Sequence, residues 1–213
     1  MTQSYRDIEN AALGRHLRIR GAFHPTDLEG VATLLLLGPD EPGFWAEFTA
    51  SPEYQDAQSE PMDRWSARVI TELAQQLGGQ ALFPFGGPPW HSFIAWAKTS
   101  GRAWQSPINL LVHDQAGLFI SYRGALGLSQ HIDLPPAPIA APCADCAQPC
   151  RTACPVDAFA SGSYNVPACK AYLATTAGQD CMENGCAARR ACPVSQTFGR
   201  LPAQSAFHMR AFV

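Results

Sequence analysis

All eight cysteines of the chain lie between positions 143 and 192, and positions 1–142 hold none. They form the run Cys143-x2-Cys146-x3-Cys150-x3-Cys154-Pro155, followed by Cys169, Cys181, Cys186 and Cys192-Pro193. Thiolates are soft donors, and two groups of four are what two iron–sulfur cubes of the [4Fe–4S] type require. Three thiolates can come from a tight loop wrapped round one corner of a cube, while the fourth must arrive from elsewhere in the chain. Structural zinc also uses Cys-x2-Cys pairs, but only one such pair occurs, and zinc has no need of either Cys-Pro ending. Disulfides belong to oxidising compartments, whereas this sequence shows no signal peptide and a long stretch without cross-links. The chemistry expected of the segment is electron transfer.

The Cys-Pro ending of each group resembles bacterial two-cluster ferredoxins, in which the Cys before Pro completes the other cluster and so locks two loops together. That resemblance implies Cys143, Cys146, Cys150 and Cys192 for one cluster, and Cys154, Cys169, Cys181 and Cys186 for the second. The spacing departs from the simple ferredoxin pattern. One extra residue separates Cys146 from Cys150, and eleven, four and five residues precede Cys181, Cys186 and Cys192. The stretch ACKAYLATTAGQDCMENGCAARRACP (168–193) is similar to the second-cluster segment of epoxyqueuosine reductases, with Cys169 at a short helix carrying Tyr172 and Leu173. Val156, Phe159 and Val194 are expected to shield the metal from water, and main-chain N–H groups to donate to the sulfurs. Arg189 and Arg190 either offset cluster charge or remain solvated.

These ligands need a scaffold. A chain of 213 residues can form one large domain or a medium domain with a small one, and 46% hydrophobic residues supply a core that a disordered chain would lack. The formal charge of −3, with 15 scattered Lys and Arg, argues against nucleic acid and membrane surfaces, which need a dense positive face. The longest apolar run, Val31 to Leu37, is too short to span a bilayer. The N-terminus has no apolar h-region or cleavage site, so a soluble, cytoplasmic protein is expected.

The expected helices are Tyr5 to His16, Gly43 to Ala50, Pro61 to Leu77 and Trp90 to Lys98. In the third, Trp65, Val69, Leu73 and Leu77 make one apolar stripe, with Pro61 and Asp63 in the first turn and Gly78-Gly79 as the stop. Leu17 to Phe23 alternates like a half-exposed strand, and 31–38 reads as a buried central strand. ALFPF (81–85), INLLVH (108–113) and GLFISYRGALGL (117–128) complete about five strands, the last two joined by a turn at Asp114 to Ala116. The Pro/Ala-rich LPPAPIAAPC (134–143) reads as an extended connector, or as a strand-to-loop exit within one fold. The organisation expected is a cofactor or substrate domain over 1–140, a cluster module over 141–200, and a tail over 201–213 that packs back, with a helix from about Ala203 to Phe212.

The stretch INLLVHDQAGLFISYRGALGL with the following IDLPP (132–136) resembles cobalamin-processing proteins of the cblC type, which share a strand ending in Ile-His-Pro, a Gly-aromatic turn, a strand with Arg-Gly and a later Leu-Pro-Pro. PMDRWSARV (61–69) is similar to that family's Asp-Pro-x-Asp helix start, and FPFGGPP falls where its loop contacts the corrinoid. Epoxyqueuosine reductases and B12-dependent reductive dehalogenases resemble the whole order, a corrinoid domain related to flavin reductases followed by two [4Fe–4S] clusters. The resemblance implies an α+β chain: a nitroreductase/flavin-reductase-like α/β sandwich, then a small two-cluster ferredoxin-like module. It implies cofactor-side roles for Phe85, Gly86 and Gly87, where the family's His is missing, and for His91 a few residues on, which is either a ligand or a packing residue. Tyr122 and Arg123 sit where a proton donor and its charged helper would face a substrate, although strand alternation sends neighbours to opposite faces.

The function implied is a reductase that takes electrons from a redox partner protein and passes them through both clusters to cobalamin or another small acceptor. The sequence departs from the tRNA-modifying enzymes it resembles in lacking their basic surface and helical repeats, so a tRNA substrate is not expected. Two other readings stand beside it: an electron carrier without chemistry of its own, and a flavin or ferric-chelate reductase without corrinoid. No Gly-x-Gly-x-x-Gly element signals a Rossmann site. No catalytic residue is assigned.

Overall fold

Ser4 opens the first helix with a reciprocal cap: its hydroxyl accepts the Asp7 N–H, and the Asp7 carboxylate accepts the Ser4 N–H. The structure, a computed structural model, describes residues 3–213. Met1 and Thr2, at the head of the stretch read above for a targeting signal, lie outside the described residues. The fold is mixed α+β. In chain order it runs through α1 (Tyr5–Leu13), β1 (Leu17–Phe23), β2 (Thr33–Pro39), α2 (Gly43–Ala50), α3 (Pro52–Gln55), α4 (Pro61–Leu77), β3 (Gln80–Leu82) and α5 (Phe93–Thr99). There follow β4 (Ala103–Gln105), β5 (Leu111–His113) and β6 (Gly124–Leu128), and then five helices of the cysteine segment. Contacts divide the chain into two units. The first runs to Arg102 and resumes at Ser121–Pro138; the second comprises Ala103–Ile120 and Ile139–Val213.

The first unit carries one antiparallel sheet in the order β1-β2-β6-β3. β2 lies inside it and is buried along its whole length, as its unbroken apolar sequence requires. β1 departs from plain alternation. Ile19 pairs with Leu37 and Gly21 with Leu36, which leaves Arg20 as the extra residue of a bulge. Arg20 is buried, its Nη2 donates to Pro39 O at 2.6 Å, and burial lowers its pKa to about 10. The charge survives at neutral pH.

α4 spans the residues its pattern predicts, and Gly78 ends it in a left-handed conformation at φ 66°. Trp65 on its buried face meets Phe44 edge-on at 5.2 Å and Phe48 at 6.3 Å, so α2 and α4 share an aromatic core. The short α3, which the sequence pattern does not announce, is clamped to α4 by charge. Arg68 Nε donates to Glu53 Oε1 at 2.5 Å, and Arg64 holds Asp56 and the Glu53 carbonyl.

The Arg68 hydrogen bond holds the Glu53 carboxyl below its usual 4.5. A depressed folded pKa stabilises the fold above the unfolded value, and that stabilisation disappears as the pH falls through the folded one. Arg68 is partly solvated, so the contribution is about 1 kcal/mol. Between pH ~5 and ~3 the melting temperature of the wild type is expected to fall more steeply than that of Glu53→Gln. Parallel acid limbs would contradict the clamp.

Three expected strands change shape. The strand of 81–85 is only β3, because Pro84 has no N–H for the ladder. Residues 108–113 reduce to β5, which pairs with the unpredicted β4 in a separate two-stranded sheet. The strand of 117–128 begins only at Gly124. Before it, His113 and Gly117 exchange both backbone hydrogen bonds around a tight turn, and Leu118 N–H goes to Ser195 Oγ at 2.8 Å, so no strand partner remains. The four strands of the first unit and the two of the second thus replace a single domain of about five.

The second unit continues with a 3-10 turn at Pro149–Arg151, then α6 (Val166–Leu173), a second 3-10 turn at Thr176–Gly178, α7 (Gln179–Asn184), α8 (Ala187–Arg190), α9 (Pro193–Gln196) and α10 (Pro202–Phe212). α10 packs on α7. A side chain on Gly185, already at φ 88°, would meet Ser205 Cβ at 2.8 Å. Ile108, Val112 and Leu118 form a core with Cys150, Ala188 and Cys192, so the cysteines are part of the packing. Among the described residues no helix is long and apolar enough to cross a membrane.

Candidate metal centre

The loop of the first three cysteines is built from tight turns. Ala144 N–H bonds to Ala141 O and Cys146 N–H to Cys143 O, after which Gln148 turns left-handed at φ 56° and starts the 3-10 turn that carries Cys150. The reversal aims the Gln148 N–H at Cys146 Sγ, 3.3 Å away. The next turn repeats the device: Asp157 sits at φ 47°, and Ala158 N–H donates to Cys154 Sγ at 3.3 Å. Backbone donors of this kind stabilise a thiolate over a thiol.

Cys192 reaches the same place from far along the chain. Pro193 fixes the first residue of α9 and forces Cys192 into an extended conformation at φ −67°, ψ 122°. Cys143, Cys146, Cys150 and Cys192 together line one cavity of about 380 Å³, walled mainly by apolar groups including Val112, Leu118 and Val194. Burial pushes the Cys143 and Cys150 thiols up, and the negative charge of their neighbours adds to it: Cys192, Cys150 and Cys146 act on Cys143, and Cys192 and Cys146 on Cys150. The four thiols are electrostatic neighbours in apolar surroundings.

Of the remaining four, Cys169 and Cys186 lie beside Tyr164. Asn165 caps α6 by accepting the Ala168 N–H and so sets Cys169 in the helix's first turns. Tyr164 hydrogen-bonds Cys169, and its pKa is raised by burial first, then by that bond and by the nearby charges of Cys169 and Cys186. Cys181 lies near Cys186 and takes an N–H bond from Ala187; its thiol is raised, with burial the largest cause. The turn after Cys154 is tied to this group by Asn165 N–H to Ala158 O at 2.8 Å and by Phe159 stacked on Tyr164 at 4.7 Å.

All eight thiols are free. Among the described residues no group of three or more His, Cys, Asp or Glu side chains converges to hold a single metal ion. A cube makes a different demand, since each thiolate binds a different iron and the four sulfurs stand round a space. The cavity and its four lining cysteines fit that donor arrangement.

No protein family, no curated protein and no solved structure matches the chain.

The arginines of the segment have structural partners. Arg189 Nη1 donates to Leu118 O at 2.6 Å, and Arg190 bonds Gly185 O at 3.0 Å and pairs with Asp180. Tyr172 donates to Ala177 O at 2.6 Å, closing the turn after α6, while Leu173 is buried. Phe159 and Val194 pack against the cysteine-bearing core.

In the first unit, the residues singled out by resemblance are placed less tellingly. Phe85 is half-buried against Phe83, with ring centroids 5.2 Å apart. Gly86 and Gly87 take left-handed conformations at φ 91° and 109°. His91 stacks on Trp96 at 5.2 Å, beside the exposed Trp90. The Tyr122 hydroxyl is buried, and Arg123 Nη1 lies 3.5 Å from Asp63. Burial lowers the Arg123 pKa despite Asp63, and raises that of Asp63 despite Arg123. His91 and Arg123 therefore serve different neighbours.

Sequence reading passed over two residues close to the thiols, Tyr164 and Ser106. A Ser-Pro pair signals a turn, which was the one trace Ser106 left in the sequence.

Proposed function

We propose that the chain is an iron–sulfur reductase with two [4Fe–4S] clusters, one on Cys143, Cys146, Cys150 and Cys192 and one on Cys154, Cys169, Cys181 and Cys186. The observation that carries this reading is the single apolar cavity lined by the first four, with Cys192 supplied by a distant stretch ending in Cys-Pro. Such clusters supply one-electron transfer at potentials set by hydrogen bonds and burial. The chain's own contribution is to exclude water with Val112, Leu118 and Val194, and to hold N–H groups of Gln148, Ala158 and Ala187 on sulfur.

The electrons come from a redox partner protein and reach an acceptor bound by the N-terminal part, whose four-stranded antiparallel sheet with flanking helices supports a flavin-reductase-like reading. Cobalamin is the favoured acceptor by resemblance. The stacking of His91 on Trp96 favours a second reading, in which no imidazole ligand is offered and a flavin or ferric chelate is reduced instead.

The test starts from dithionite-reduced protein, freed of excess reductant without oxygen. It is mixed in turn with hydroxocobalamin, FMN and ferric citrate while the absorption of protein and acceptor is followed. Saturable reoxidation by hydroxocobalamin, with about two electrons delivered per chain, is expected. Saturation by FMN or ferric citrate alone would replace the corrinoid, and saturation by none would leave an electron carrier.

A further inference from the structure

Ser106 is 4% exposed and lies in the wall of the cavity formed by Cys143, Cys146, Cys150 and Cys192. Its hydroxyl has no hydrogen-bond partner among the described residues. Four of the other five buried serines have partners for their hydroxyls. Ser51, Ser66 and Ser100 donate to the carbonyls of Phe48, Met62 and Ala97 at 2.6–2.7 Å, and Ser195 accepts the Leu118 N–H. Nor can Ser106 easily move away. Its N–H is spent on Leu110 O and its carbonyl on Asn109 N–H, both at 2.9 Å, and Pro107 stiffens the next bond. A buried hydroxyl left unpaired costs stability, and in native proteins such groups nearly always find an acceptor. The space it lines is the space where the sulfurs of a bound cube would stand.

We propose that the Ser106 hydroxyl donates a hydrogen bond to a sulfur of the cluster held by Cys143, Cys146, Cys150 and Cys192, and so sets that cluster's potential above its value without the bond. The inference rests on the two-cluster reading above. Its physical basis is simple. Reduction adds negative charge to the sulfurs, a donor aimed at them is bound more strongly in the reduced state, and the potential rises. Ser106 acts through the cluster and touches no substrate, so it is a positioning residue.

The experiment compares wild type, Ser106→Ala and Ser106→Thr, all purified without oxygen. Iron and sulfide are counted, and both clusters are followed by EPR during a redox titration. Ser106→Ala is expected to keep its full iron and sulfide and to lower one potential only, by about a tenfold shift in the reduction equilibrium, or about 59 mV for one electron. Ser106→Thr should restore it. Full iron with both potentials unchanged in Ser106→Ala would overturn the proposal and point to a cavity water as the hydroxyl's partner. Should Ser106→Ala fail to assemble, the wild type decides. Pulsed ENDOR of the reduced wild type should show, beside the amide proton that Gln148 N–H brings to Cys146 Sγ, a second exchangeable proton that is lost within seconds of dilution into D2O, as a hydroxyl proton is, and that Ser106→Thr retains; amide protons alone refute the bond. A wild type without iron would end the two-cluster reading itself, a failure distinct from that of Ser106.

Discussion

Cys192→Ala is expected to lower iron and sulfide from about eight to about four per chain and to remove one of two reduced-state EPR signals. Cys192 follows Cys181 and Cys186 closely in sequence, yet it lines the cavity of Cys143, Cys146 and Cys150. Its loss should therefore empty the cluster of the first loop. Cys181→Ala serves as the counterpart and should remove the other four irons and the complementary signal. If both substitutions silence the same signal, Cys192 belongs with Cys181 and the crossed assignment is wrong. Because Cys150 and Cys192 are also core residues, the emptied unit should melt at a lower temperature, as metal and fold stabilise one another.

Trp65→Ala should cost about 3–5 kcal/mol, the usual penalty for emptying a large aromatic site. Trp65 is 1% exposed and meets both Phe44 and Phe48, so no neighbouring loop can collapse into the gap. For a unit of this size the loss corresponds to a fall in melting temperature of roughly 10–20 °C. Trp90→Ala is the control. Trp90 is 68% exposed, and its replacement should change stability by about 0.5 kcal/mol or less. Calorimetry or circular dichroism on both variants settles the matter, and a Trp65→Ala protein that melts like wild type would mean that α2 and α4 do not share this core.

The parts of the fold legible in sequence were those governed by local pattern. α4 shows its stripe, its proline start and its glycine stop within one stretch, and β2 shows an unbroken apolar run. Both occur where the pattern puts them. The partnership of β4 with β5 was not legible, because nothing in GLFISYRGALGL reveals that Leu118 N–H will bond to Ser195, whose hydroxyl comes from far along the chain. The Arg20 bulge escaped for a related reason. Alternation in Leu17 to Phe23 is present in the sequence, and only the pairing with β2 breaks it.

At the candidate site, residue type and spacing pointed to the eight cysteines, since metal ligation restricts chemistry sharply. Ser106 and Tyr164 could not be found that way. A serine or tyrosine becomes a partner of sulfur only through burial and placement, and neither leaves a spacing signature. The first unit is the converse case. Phe85, His91, Tyr122 and Arg123 were named by likeness to a family, and their surroundings were not legible: Phe85 packs on Phe83, His91 stacks on Trp96, and Arg123 faces Asp63.

The claim on which the account turns is that thiolates from two distant stretches surround one iron cube, and a second set another. Its most direct measurement is Mössbauer spectroscopy of protein purified without oxygen from iron-57-grown cells, with iron, sulfide and zinc counted on the same sample. About eight irons and about eight sulfides per chain are expected, nearly all in tetrahedral sulfur sites of [4Fe–4S] type, with little zinc. A colourless protein holding zinc, or iron without sulfide, would contradict it.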